Sequence, residues 1–320
     1  MTKARVAVML SGTGTTMMSL LYASRLPDCP YEIVLVASNV PEAKGLTVAA
    51  AEGIPTFAHS HRGMTREAHE AIMQAALEDA RADHVALCGY MRILTPGLVE
   101  RWAGRMLNTH PSLLPKYTGL HTHERALAAG DSHGGCTVHL VTGELDDGPI
   151  LGQIPVAILP GDTPDILAQR VLYAEYQLYP RTLAAYVGRA FDPDWIVARV
   201  GDLALALPET DARNSHGAPG WRVGGEKSGK FFAYVSVRHH GEDAVSLLVK
   251  TSGPDEMNAL IDADPDIYYR PAYYGASGWI ALRLDRPGVD WDHVADWLAK
   301  SWRAVAPKKL TRMMDIADQF

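Results

Sequence analysis

Along the first half of the chain, short apolar runs alternate with longer stretches in which apolar residues recur every three or four positions. The runs at 6–10, 32–37, 84–88 and 106–107 read as buried strands, and 16–24, 43–52, 66–82 and 96–103 as helices. Such alternation predicts an α/β domain: a mostly parallel, Rossmann-like sheet with helices on both faces. Two further runs, 137–141 and 151–158, read as later strands, and 163–186 as a long closing helix. Ligands of such sheets collect at the carboxyl ends of the strands. The segments at Gly12, Met91 and Asn108 each follow a strand, so they should converge on that edge.

The pattern changes near Phe191-Asp192-Pro193-Asp194, which predicts one domain over 1–190 and a second over 195–320. Beyond Trp195 the order is helix, strands, helix, strand, helix. Residues 231–237 and 245–250 alternate as paired strands, 254–262 reads as a capped helix, 279–284 as a strand and 291–305 as the last helix. This order implies a smaller α+β domain.

A chain of 320 residues with 47% hydrophobic positions can bury a core in each half. Its formal charge of -7 argues against holding nucleic acid by bulk electrostatics. No stretch approaches the ~20 apolar residues needed to cross a bilayer, and the first residues run directly into a strand; a cytoplasmic protein without membrane contact is expected. Cys29, Cys88 and Cys136 stand singly without metal or redox spacing, and the last two lie in apolar runs as core residues. Histidines 121, 123, 133 and 139 also lack metal-ligand spacing, so no metal is expected.

Candidate chemistry is concentrated in Asn108-Thr109-His110-Pro111-Ser112-Leu113-Leu114-Pro115 and Glu144-Leu145-Asp146-Asp147-Gly148-Pro149. An amine that attacks a formamide builds a tetrahedral centre whose oxygen gains negative charge, and fixed donors must meet that charge. Asn108 and a protonated His110 can both donate, while a carboxylate such as Asp146 nearby would favour the imidazolium form. His110 can then give and take protons within one turnover. Taken alone, an Asn-x-His triplet is most often ordinary loop structure.

The flanking text is longer and more specific. From Leu107 to Gly148 the chain resembles the phosphoribosylglycinamide formyltransferases of purine synthesis, through Asn-x-His-Pro-Ser-Leu-Leu-Pro-Lys-Tyr-x-Gly-Leu-His-Thr-His and then Glu-Leu-Asp-x-Gly-Pro. The resemblance runs from about Arg5 to about Gly188. It implies that Asn108, His110 and Asp146 form the catalytic trio. It implies a phosphate loop at Gly12, Thr13, Gly14, Thr15 and Thr16, and a glutamate for the acceptor's ribose hydroxyls at Glu175. Arg66, Met91, Arg92, Ile93 and Leu94, together with Asn108, match the folate-binding positions. The implied co-substrates are 10-formyltetrahydrofolate and glycinamide ribonucleotide. Two positions depart from the pattern: the family loop usually ends in Ser-Asn, here Thr15-Thr16, and Thr118 stands where proline is common. Main-chain N–H groups at a helix start would still hold a phosphate. The third glycine of a dinucleotide fingerprint is missing after Gly14, which argues against a nicotinamide cofactor.

The second half resembles the small MmcQ/YjbR-like domains through Leu207-Pro208-Glu209-Thr210, Trp221-Arg222-Val223, Lys230-Phe231-Phe232-Ala233, Tyr273-Tyr274 and Gly278-Trp279. The resemblance implies a frataxin-like α+β shape. Aromatic and cationic residues interleave there, yet strand aromatics are more often core than stacking platforms. Besides glycinamide ribonucleotide formylation, two readings stay open. One is a folate-dependent formyltransferase with another acceptor, such as methionyl-tRNA or an amino sugar nucleotide. The other is a non-catalytic binding or regulatory protein acting through the second domain. The sequence is compatible with a homodimer.

Overall fold

The structure, a computed structural model, describes residues 3–215, 217–225, 229–238, 243–272, 274 and 277–317. The chain divides into two compact units, Met1–Gly188 and Arg189–Phe320.

The first unit is built on seven strands: β1 (Ala4–Leu10), β2 (Tyr31–Ser38), β3 (Thr56–Ala58), β4 (His84–Leu87), β5 (Met106–His110), β6 (His133–Leu140) and β7 (Ile150–Ala157). Their spatial order is β3-β2-β1-β4-β5-β6-β7. The first five run parallel, and β6 and β7 run antiparallel. Helices α1 (Thr15–Ser24), α2 (Lys44–Ala51), α3 (Arg66–Asp79), α4 (Pro96–Arg101), α5 (Thr122–Ala128) and α6 (Pro164–Gly188) supply the connections and the close of the unit. Side chains alternate across a strand, and β1 is apolar on both faces. Val6, Val8 and Leu10 enter a core shared with α1 and α6, while Ala7 and Met9 enter a second with Met73, Leu77 and Trp102. Burial on both faces is why the strand reads as a continuous apolar run.

The parallel sheet and its two helical layers are those expected from the sequence, with three local differences. Strand β3 and helix α5 are additions. Strand β5 runs on through Asn108 to His110, where the apolar pattern ends at 107. Backbone pairing with β4 up to Asn108 and with β6 up to His110 carries the strand past its apolar residues. Asn108 and His110, two residues apart, therefore share one face of the sheet.

Two features fix the sheet edge that matters. Gly14 caps α1 with a left-handed φ of 78°. A Cβ added there would meet Gly45 Cα at 2.7 Å, so glycine lets the first turn of α1 approach α2. On α6 the fully buried Tyr179 donates its hydroxyl to the carbonyl of Leu107 at 2.9 Å, tying that helix to β5 just before the chemical residues begin.

The second unit contains a six-stranded sheet of β8 (Thr210–Ala212), β9 (Gly220–Val223), β10 (Lys230–Val237), β11 (Val245–Lys250), β12 (Tyr268–Tyr269) and β13 (Trp279–Arg283), in the order β12-β13-β11-β10-β9-β8. Its pairings are antiparallel. Helices α7 (Pro193–Leu205) and α9 (Trp291–Val305) share its core with Trp221, Phe232, Val235, Leu247 and Ile280; α8 (Pro254–Ala263) and α10 (Lys308–Ala317) complete the unit. Trp221 is a core residue against Gly201 of α7, and Arg222 is buried and paired with Asp211 at 2.7 Å. Tyr234, Tyr274 and Trp279 cluster with Leu248 in a second, smaller apolar group. Tyr273 lies outside the described residues.

Candidate functional site

Strands β1, β4 and β5 end on the same edge of the sheet, and their following segments are stitched together there. Ser11 donates its backbone N–H to Gly89 and its hydroxyl to Asn39, and Met91 N–H donates to the Ser11 hydroxyl at 2.8 Å. Beside this lattice a cleft of about 880 Å³ opens. Gly12, Thr13, Gly14, Thr15 and Thr16 line it from the β1–α1 turn, Asn108 and His110 from β5, and Glu175 from α6. Met91 also lines it; Arg66, Arg92, Ile93 and Leu94 do not. Arg66 opens α3 at an exposed position, and the side chain of Ile93 is 57% exposed.

His110 is held from both ring nitrogens. Its Nε2 lies 2.9 Å from the carbonyl oxygen of Tyr117, and its Nδ1 faces Asp146 Oδ2 at 3.4 Å. A carbonyl only accepts, so the ring donates at Nε2, with the Asp146 carboxylate beside Nδ1. The Asp146 carboxylate also accepts the Gly119 N–H at 2.9 Å. Thus one carboxylate ties the imidazole to the 111–121 loop. Asp146 adopts a left-handed φ of 55°, as do Tyr117 at 57° and His121 at 60°. Such backbone is uncommon outside glycine and carries a small conformational cost. Two of the three, Tyr117 and Asp146, meet the His110 imidazole directly.

His139 is the site residue that sequence reasoning missed. It sits directly opposite Asn108 in the antiparallel β5–β6 ladder. Its Nδ1–H donates to the Leu140 carbonyl at 2.9 Å, which leaves Nε2 as the acceptor facing Asn108 Nδ2 at 3.4 Å. Asp146 Oδ1 stands 3.7 Å from the same nitrogen. Burial pushes the His139 imidazole below its usual range, outweighing the Leu140 carbonyl and Asp146. A neutral ring therefore orients the Asn108 amide from behind. The signal that could have found it is strand register, which a single sequence does not carry.

Gly148 closes the loop that presents Asp146, and a Cβ there would fall 1.8 Å from the Leu140 carbonyl oxygen. Gly148→Ala must displace that loop and carry Asp146 away from His110. The expected result is a fall of roughly tenfold or more in turnover, since small misplacements at a reacting centre are amplified in rate. Steady-state kinetics checks this, and an unchanged kcat would show that the loop does not position Asp146.

At the floor of the cleft Glu175 is 7% exposed, and Thr16 Oγ1 donates to its Oε1 at 2.6 Å. Burial pushes the Glu175 carboxyl up, and the hydroxyl of Thr16 draws it back. His123, in the first turn of α5, is held below the usual histidine range, chiefly by burial. Cys88 and Cys136 are buried, and burial raises both thiols, so neither is poised as a thiolate. Among the described residues no group of three or more His, Cys, Asp or Glu could hold a metal ion, and no helix is long and apolar enough to cross a membrane.

The formyl transferase family model matches residues 4–183, and a YjbR model matches 205–304. The phosphoribosylglycinamide formyltransferase of Haemophilus influenzae is 42% identical over 178 residues, covering 55% of this chain and 84% of that protein. The trifunctional purine biosynthetic protein adenosine-3 of Drosophila melanogaster is 45% identical over 186 residues, 57% of this chain; the match spans only 14% of the fly protein's length. A crystal structure of phosphoribosylglycinamide formyltransferase from Brucella melitensis superposes with a TM-score of 0.56 at 48% identity, covering 57% of this chain and 95% of that one.

Proposed function

Because this chain belongs to the formyl transferase family, we propose that it transfers the formyl group of 10-formyltetrahydrofolate to the primary amine of glycinamide ribonucleotide. The observation that carries this reading is the placing of Asn108 and His110, with Asp146 3.4 Å behind the imidazole, in one cleft with the glycine-rich turn and Glu175.

Attack of the amine on the formyl carbon converts a planar carbonyl into a tetrahedral centre with an anionic oxygen. The Asn108 amide, oriented by His139, and an N–H of His110 supply donors for that oxygen. The attacking amine must lose a proton and the folate nitrogen must gain one as the C–N bond breaks. His110 lies in the cleft and exchanges both protons, with Asp146 holding the ring and its charge. The Nε2–H now accepted by Tyr117 needs only to exchange that carbonyl for substrate. Main-chain N–H groups at the start of α1 suit the acceptor phosphate, with the helix dipole aligned to favour it. Glu175 accepts hydrogen bonds from the ribose hydroxyls, and Met91, which lines the cleft beside Asn108, meets the folate. Every step is proton transfer and charge stabilisation, and the residues present supply both.

The test is to incubate the protein with 10-formyltetrahydrofolate, with and without glycinamide ribonucleotide, and to follow folate absorbance. Tetrahydrofolate released only with the acceptor supports the reading. Release without acceptor would make the protein a hydrolase, and no release under either condition would overturn catalysis on these substrates.

A further inference from the structure

Thr16 ends the glycine-rich turn, the place where a phosphate ligand is expected. Its hydroxyl is committed elsewhere. The residue is 8% exposed, and Oγ1 donates to Glu175 Oε1 at 2.6 Å, joining the first turn of α1 to the middle of α6. A hydroxyl has one hydrogen, so the donor given to Glu175 is not available to a phosphate oxygen. The Thr16 side chain is therefore built into the carboxylate, while its backbone N–H stays with those at the start of α1.

The geometry points to Thr16 as a positioning residue for Glu175, whose hydroxyl fixes the carboxylate so that it accepts the vicinal hydroxyls of a ribose and disfavours acceptors that lack one. This rests on the reading of Glu175 as the ribose ligand. A carboxylate has about four lone-pair sites across its two oxygens. Thr16 fills one on Oε1, which sets the rotation of the group. Thr109 also acts on the carboxylate, and the acceptor sites that the two hydroxyls leave are those offered to the ligand. Both residues line the same cleft.

The contact also governs charge. Glu175 is buried near the Cys88 and Cys136 thiols, and this burial opposes ionisation. The Thr16 hydroxyl is the largest influence in the other direction. Thr109 Oγ1, buried and without a hydrogen-bond partner of ordinary geometry, acts in the same sense but less strongly. Without the Thr16 hydroxyl, Glu175 holds its proton to higher pH, and a protonated carboxyl offers fewer acceptor sites to a diol.

The decisive pair of variants is T16V, which keeps the branched shape and removes the hydroxyl, and T16S, which keeps the hydroxyl. In T16V the KM for glycinamide ribonucleotide should rise roughly tenfold, the scale of a hydrogen bond to a charged group. The change in kcat should be much smaller, and discrimination against a 2′-deoxy acceptor should fall. As pH is lowered, the KM of T16V should begin to rise at a higher pH than that of the wild type. T16S should restore both. An unaltered KM and pH onset in T16V, or T16S impaired as severely as T16V, would overturn the proposal. A substrate-free readout separates this from the activity itself. In protein labelled with carbon-13 glutamate, the Glu175 carboxyl signal, assigned with E175Q, should titrate at higher pH in T16V. If the wild type shows no acceptor-dependent turnover, the formyl-transfer reading fails and this titration alone decides; an unmoved signal refutes the role of Thr16.

Discussion

His110→Ala is expected to lower kcat for acceptor formylation about a thousandfold while folate binding is retained. The imidazole contributes in two ways that are realised only as the tetrahedral centre forms. It donates to the developing oxyanion, a role worth about 10²–10³ in rate at comparable sites, and it moves protons between amine and leaving group, worth about 10²–10⁴. The two contributions share one ring and do not simply multiply. A thousandfold loss corresponds to about 4 kcal/mol of transition-state stabilisation. Residual catalysis should come from Asn108, which His139 still faces across the β5–β6 ladder. Because the lost contacts belong to the transition state, the affinity for the folate, measured by calorimetry, should stay near the wild-type value. Turnover within about tenfold of wild type would remove His110 from the mechanism. Loss of folate binding together with turnover would show instead that the ring supports the shape of the cleft through Tyr117 and Asp146.

Much of this site was legible in the order of residues, and the part that was not has a physical cause. The ends of β1, β4 and β5 could be anticipated because parallel strands leave their loops on one edge. The glycine turn, Asn108 and His110 do meet in one cleft. Asp146 lies more than thirty residues from His110 in sequence, and its contact came from resemblance rather than from periodicity. The antiparallel return of β6 was not readable, since register is set by pairing across the sheet. His139 was therefore visible as a residue but not as the neighbour of Asn108. Thr16 shows a different limit: that its hydroxyl meets a carboxylate on α6 is set by tertiary packing between residues far apart in sequence. In the second unit the aromatic residues near Trp221 serve the core, as strand aromatics usually do.

Trp302→Ala tests whether the chemistry is complete within the first unit. Trp302 is fully buried on α9 and donates its indole N–H to the Pro208 carbonyl at 3.2 Å. Removing a buried indole leaves a cavity in the core that it shares with Phe232 and Leu298, a change on the order of 3–5 kcal/mol. That approaches the whole stability of a small domain. Every proposed site residue falls between Gly12 and Glu175, within the first unit. In calorimetry the second unit's transition should fall by roughly 10 °C or more or vanish at working temperature, at about 4 °C per kcal/mol for a domain between the small and medium size classes. Acceptor-dependent formyl transfer, assayed where only that unit has unfolded, should stay within about twofold of wild type. A parallel collapse of activity, with the first unit still folded by its own transition, would show that the second unit completes the active site and would send the search for a missing group into that half of the chain.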